Sequence, residues 1–226
     1  MTELRLCTWN AGKGTRGNLA ELMDRYEVIC GQEWGDRDDL TRFAREQGWT
    51  VIEGDQDGSA STPLLVSGEI TVRKQVSLVM LHSQNLGPGA GPSQVKQKCA
   101  VGGLLSSAGQ VFGVVSTHLV ASQQFRAREQ AARTHIKHLE LAFDPRKYPW
   151  FIGGDFNCTP AQDQLGILYR SGWTNTARAD QPLDTHGQRC IDYLWWQRKG
   201  GITMLSQRTH ETNSDHRALG AVIRLR

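Results

Sequence analysis

GGDFNCTP, residues 153–160, comes directly off the apolar run Tyr148-Pro149-Trp150-Phe151-Ile152. Side chains on a strand alternate faces, so Asp155 and Asn157 are expected to share one face while Phe156 returns to a core. Gly153 and Gly154 lack side chains and leave room for another group to approach the backbone. Pro160 ends the pairing soon after. The same residues also suit a plain turn, because Asp and Asn hydrogen-bond their own backbone. The rest of the chain has to decide between a turn and a chemical site.

The same placement of polar residues recurs at other strand ends. Asn10 closes LRLCTWN (4–10), Glu33 closes VICGQE, and His118 closes VFGVVSTH. Asp215-His216 precedes the last apolar run, and Asp192 lies inside CIDYLWW. Each has an ordinary reading as well. Asn10 and Ser214-Asp215-His216 suit turns, Glu33 suits a surface, and His118 suits a satisfied core histidine. Asp192 is the hardest to explain that way, since an unpaired carboxylate among Ile191, Tyr193, Leu194 and Trp195 is strongly unfavourable.

The 226 residues are expected to form one domain, 1–226, with the composition of an ordinary globular protein. No run approaches the roughly 18 apolar residues that a membrane helix needs. MTELRLCTWN lacks the basic start and apolar middle of a signal peptide. Cys7, Cys30, Cys99, Cys158 and Cys190 are scattered, with no CxxC spacing. That pattern argues for reduced thiols in a cytoplasmic protein, with Cys7, Cys30 and Cys99 as small core residues. The net charge of +3 fits a polyanionic partner without requiring one. Lys96 and Lys98 cluster, as do Arg126, Arg128, Arg133 and Lys137, although such groups are often solvated faces.

Alternation and turn signals predict many strands with a few helices between them. NLAELMDRY reads as a short helix with Asn18 as its N-cap. DRDDLTRFAREQG reads as a second, ending at Gly48. FRAREQAARTHIKHLELAF is the longest, and DQLGILYR is a short one. QKCAVGGLLSS and QVFGVVSTHL form a hairpin around Ala108-Gly109. SQNLGPGAGPSQ (83–94) reads as a mobile surface loop. Packed sheets with helices outside follow from this pattern.

Asn10 in TWNAG, Glu33 in GQEW, His118 in STHL, Asp155 and Asn157 in GGDFN, Asp192 in IDYLWW and Asp215-His216 in SDH occur in this order. Together they resemble the endonuclease/exonuclease/phosphatase superfamily, also called DNase I-like, over nearly the whole chain. The resemblance implies an α+β fold, a four-layer αββα sandwich of two packed mixed β-sheets flanked by helices. It also implies Mg²⁺ (or Mn²⁺) and hydrolysis of a phosphate ester at the common rim of the sheets. Glu33 would be the main metal ligand, helped by Asn10 and Asp215. Asp155 and Asn157 would hold the attacking water, the phosphate or a second metal, and Gly153 and Gly154 would let the substrate phosphate approach. His216 would be the general base or a phosphate contact, oriented by Asp192, and His118 would serve a phosphate oxygen or the leaving group. The chemistry agrees: hard oxygens suit Mg²⁺, a histidine titrates near neutrality, and a buried Asp paired to it fixes the tautomer.

STHL resembles the DNase I, sphingomyelinase and deadenylase-like branches. GGDFNCTP and CIDYLWW depart from the usual motifs of inositol polyphosphate phosphatases. A nucleic-acid phosphodiester is therefore the leading substrate, DNA before RNA, cut with little sequence specificity. Lys13, Lys96, Lys98 and Arg126 are the candidate backbone contacts. Trp9, Trp34, Trp195 and Trp196 suit core packing better than base stacking. No membrane and no protein partner is read from the chain. The alternative is a phosphatase or phosphodiesterase acting on a small-molecule or lipid phosphate ester, of sphingomyelinase or inositol-phosphatase type.

Overall fold

The computed structural model describes residues 2–34, 38–54, 61–85, 94–121, 126–143, 147–177, 183–197 and 201–226. Among these, two six-stranded sheets carry the fold. The first runs, edge to edge, through β13 (Ile202–His210), β14 (Ala218–Leu225), β1 (Thr2–Asn10), β2 (Val28–Gln32), β4 (Leu64–Val66) and β3 (Thr50–Ile52). The second runs through β11 (Trp173–Asn175), β12 (Asp192–Gln197), β10 (Trp150–Asp155), β9 (Gln110–His118), β8 (Lys98–Ser107) and β5 (Thr71–Leu81). Both are mixed: β1 is parallel to β2 and antiparallel to β14, and β10 is parallel to β9 and antiparallel to β12.

Period-two alternation sets the layers. Leu4 and Leu6 of β1 pack between the sheets with Val101, Val114, Phe151 and Leu194. Cys7 and Trp9 of the same strand face outward, against Leu19 and Leu22 of α1 (Arg16–Met23) and Leu40 and Ala44 of α2 (Asp38–Glu46). On the far side, Val115 and Ile152 meet Ala132, Ile136 and Leu139 of α3 (Arg126–Ala142) and Leu168 of α4 (Gly166–Arg170). The result is the αββα sandwich. Each Leu, Val or Phe fully buried in these three clusters contributes about 1.5–3 kcal/mol, so apolar packing holds the layers together. All five cysteines are buried free thiols. Among the described residues no helix is long and apolar enough to cross a membrane.

Three local expectations need adjustment. Thr15, not Asn18, is the N-cap of α1; Thr15 Oγ1 accepts from Asn18 N at 3.4 Å, and Asn18 Oδ1 accepts from Thr15 N at 3.2 Å. This is a capping box, in which Asn18 at the third helical position returns the bond. Gly153 and Gly154 make room for protein rather than substrate. A Cβ on Gly153 would sit 2.5 Å from Cys30 Sγ on the opposite sheet, and one on Gly154 would overlap the Thr117 carbonyl of β9. The 83–94 segment begins and ends in a short ribbon of β6 (Gln84–Asn85) and β7 (Gln94–Val95), with 86–93 outside the described residues. The expected hairpin is present: Ala108 and Gly109 have φ 47° and 79°, the paired positive values that a tight two-residue connection needs.

A buried polar link joins the sheets. Gln32 Nε2 donates to Ser116 Oγ at 3.2 Å, and Ser116 Oγ donates to Gly31 O at 2.8 Å. Thr8 Oγ1 donates to Gln32 Oε1 at 3.1 Å. Every member has a partner, so the link fixes how the two strand-end sets face each other.

Candidate active site

Topology gathers the polar residues at one rim. Asn10 and His118 end β1 and β9, and Asp155 ends β10. β12 and β14 run the opposite way, so Asp192 and the residues just before Ala218 lie at the same rim. The register places Asp155 directly opposite both His118 and Asp192. Two residues at this rim adopt backbone that non-glycine residues rarely take: Glu33 at φ 50° and Asn157 at φ 51°. Such strain, of order 1–3 kcal/mol each, concentrates at functional sites.

Asp155 is the hub, and it is buried. Its Oδ2 accepts from Asn10 Nδ2 at 3.2 Å and lies 3.5 Å from His118 Nε2 and 3.8 Å from His216 Nε2. Its Oδ1 accepts from the Asn157 backbone N–H at 2.8 Å. The opening stretch is thus a turn and a site at once. The Asp155 carboxylate closes the turn while the turn swings Asn157 back over it, and Asn157 Nδ2 reaches Leu119 O and His118 Nε2 at 3.1 and 3.2 Å. Phe156 points the other way, into the core with Tyr193 and Trp195. Burial, reinforced by Asp192 and opposed by His216, raises the Asp155 carboxyl to about 7.

Asp192 is fully buried and has the partner it required: Oδ2 lies 2.9 Å from Nδ1 of His216. Thr185 Oγ1 accepts from the backbone N–H groups of Ile191 and Asp192, both at 3.1 Å, and so sets where the strand begins. Burial works against a charged His216. The hydrogen bond and charge of Asp192, with Asp155 and Asp215 adding to it, outweigh burial and lift His216 to about 9. His118 goes the other way: burial first, then Lys98 and His216, keep it well below the usual histidine value and neutral.

Asp215 is exposed at the outer lip, with Oδ2 3.4 Å from His186 Nε2. Oxygen atoms of Ser214, Asp215 and Asn10 surround the space beside it. The point that a Cβ on Gly12 would take is 3.4 Å from Asp215 Oδ1 and 3.7 Å from Asn10 Oδ1. The bare glycine therefore leaves space between two hard oxygen donors, whereas Glu33, at the adjacent strand end, lines the cleft with Lys98 and His118 and joins no group of possible ion ligands among the described residues. His186, Asp215 and His216 also group closely enough to share an ion, as do Asp155, Asp192 and His216.

The cationic residues take one side. Lys96, Lys98 and Arg128 line a cleft of about 290 Å³ together with Glu33, His118 and Asn157. Burial, with Arg128 and Lys96 nearby, lowers the Lys98 ammonium pKa, against the pull of Asp155 and Glu33. Lys13 is exposed in the turn after β1. Arg126 opens α3, and its side chain lies outside the described residues. Trp9, Trp34, Trp195 and Trp196 are all buried, so they are core residues. Arg128, Thr185 and His186 belong to this rim and were not singled out as site residues from the sequence. The signals in the sequence were the basic cluster that contains Arg128 and the histidine in THGQRC, shortly before Asp192.

The model of the Endonuclease/Exonuclease/phosphatase family matches residues 7–216. No curated protein matches significantly. Among solved structures, an endonuclease/exonuclease/phosphatase from Bacteroides vulgatus superimposes with a TM-score of 0.75 at 15% identity, over 100% of both chains. Danio rerio TDP2 complexed with single-strand DNA product gives 0.71 at 12%, over 99% of this chain and 100% of that one. A Bacteroides thetaiotaomicron mannosyl-6-phosphatase gives 0.70 at 12%, over 98% and 100%. The chain belongs to the Endonuclease/Exonuclease/phosphatase family, phosphoric ester hydrolases that generally depend on divalent metals.

Proposed function

We propose that the chain is a Mg²⁺- or Mn²⁺-dependent phosphodiesterase that cleaves the nucleic-acid backbone, DNA before RNA, with little sequence specificity. One observation carries the reading: Asn10, His118 and His216 converge on one buried oxygen of Asp155, with Asp192 behind His216. Such a cluster can hold a water and move its proton.

Asn10, Glu33 and Asp215 would hold the ion. When bound, the ion offsets charge on the phosphate and makes a nearby water more acidic. Asp192 keeps the proton of His216 on Nδ1 and leaves Nε2 facing Asp155. His216 is the general base, and its proton affinity comes from the carboxylates around it. Neutralising Asp215 would remove one of those charges and lower that affinity. Asp155 and Asn157 orient the water, and neutral His118 contacts a phosphate oxygen or the leaving group. Lys96, Lys98 and Arg128 hold the flanking backbone.

The second reading, hydrolysis of a small-molecule or lipid phosphate ester, uses the same residues. The compact cationic cleft favours it, as does the likeness to a mannosyl-6-phosphatase. Supercoiled plasmid incubated with Mg²⁺, Mn²⁺ or EDTA, beside the variant His216→Ala, separates the two. The nuclease reading expects metal-dependent nicking that the variant loses. Intact plasmid, with phosphate released from small esters, would establish the second reading instead.

A further inference from the structure

Asp215 stands at an exposed lip, and an exposed carboxylate has many rotamers and little reason to hold one. The short turn before β12 addresses this. His186 and Arg189 exchange backbone hydrogen bonds at 3.0 and 3.1 Å, and Gly187, at φ 58°, allows the tight reversal between them. Across this turn Arg189 Nη2 comes 2.6 Å from His186 Nδ1. A guanidinium only donates, so Nδ1 must accept, and the proton of the neutral ring is on Nε2. That N–H faces Asp215 Oδ2 at 3.4 Å.

The turn is tied to the catalytic pair as well. Arg217 N donates to Thr185 O at 2.7 Å, and His186 bridges the backbone of His216. The two imidazole rings lie 4.5 Å apart. One segment therefore supports both Asp192, through Thr185, and Asp215, through His186.

A surface ion pair is the bland account. His186 and Asp215 keep 28% and 69% of their side-chain surface exposed, so the pair contributes little to stability. Its value lies in direction. Holding Oδ2 turns Oδ1 toward Ser214 Oγ, 3.4 Å away, and toward the space beside Gly12 and Asn10 Oδ1. His186 is a poor ligand itself, because its Nε2 carries a proton and its Nδ1 accepts from Arg189.

We infer that Arg189 and His186 form a positioning chain that aims the Asp215 carboxylate at a divalent cation, parallel to the Asp192–His216 pair. The inference rests on the reading that Asp215 is a metal ligand. Partners of this kind typically change metal affinity by about 10–100-fold.

The test is calorimetric titration of Mn²⁺ into the full chain, for the unaltered protein, His186→Ala, His186→Gln and Asp215→Asn, with thermal melts to check folding. His186→Ala is expected to weaken Mn²⁺ binding about 10-fold or more. His186→Gln, whose amide accepts from Arg189 and donates to Asp215, should recover most of the affinity. Unchanged binding in His186→Ala, beside a loss in Asp215→Asn, overturns the positioning chain alone. Equal losses in the Ala and Gln variants also overturn it, since shape would then explain both. Asp215→Asn binding like the unaltered protein, or no binding by the latter, overturns the ligand assignment and the inference with it.

Discussion

His216 Nδ1 lies 2.9 Å from Asp192 Oδ2, and Asp192 is fully buried with its other oxygen unpartnered among the described residues. A carboxylate so placed costs stability unless a cation balances it. The pair therefore makes sense as a device for holding one histidine in one tautomer.

Asp192→Ala is expected to lower kcat on the order of 10³-fold or more while leaving Mn²⁺ affinity within a few-fold. Steady-state kinetics beside metal titration check this. A kcat close to that of the unaltered protein would remove His216 and Asp192 from the chemistry.

His135 gives a pH prediction away from the metal ligands. It is fully buried beside Thr117, and burial, then Lys98 and His138, lower it to about 3. The unfolded chain binds a proton there below about 6.5 and the folded chain does not. Stability is therefore complete above that value and falls as pH drops toward 3, by about 1.4 kcal/mol per unit from this residue. His135→Gln should flatten the acid limb of urea-unfolding free energy by about one proton between pH 6 and 4. Parallel curves for the two proteins would contradict it.

Gly153 and Gly154 should respond differently to a repacking partner. Gly153→Ala is expected to destabilise by about 1–3 kcal/mol, because a Cβ would press on Cys30 Sγ. Cys30→Ala in the same chain should recover part of that loss. Gly154→Ala meets backbone, the Thr117 carbonyl, and Cys30→Ala should not help it. Melting temperatures of the four variants decide it, and rescue of both glycine positions alike would disprove the assignment.

DNA binding in EDTA should weaken steeply with salt. Lys96→Ala and Arg128→Ala are each expected to reduce the slope of log K against log salt by about 1. Fluorescence anisotropy on a short duplex measures it. A flat response, or unchanged slopes, would argue for a small ester over a nucleic-acid backbone.

The layers were legible because alternation and turn chemistry are local properties. Alternation marks LRLCTWN as a strand and Ala108-Gly109 declares its hairpin, but burial of both faces of β1, with Leu4 and Leu6 on one and Cys7 and Trp9 on the other, needed the second sheet and the helices. The hub residues were legible for a different reason: a polar side chain at the end of an apolar strand needs a partner, and Asp192 most of all. The two glycines of GGDFN were misjudged, because what they leave room for belongs to another strand or the other sheet.

By itself, then, the chain's sequence determined packed sheets with helices outside, and through the family that its motifs resemble it implied the αββα arrangement and the residues that meet at Asp155. Only the tertiary structure decided how they meet. The left-handed turns at Glu33 and Asn157, the cleft made by Lys96, Lys98 and Arg128, and the Arg189–His186–Asp215 chain all depend on contacts between strands and loops far apart in sequence. Period and composition report which face a residue prefers. They carry no distance between residues on different elements, and hydrogen bonds and charge coupling depend on that distance.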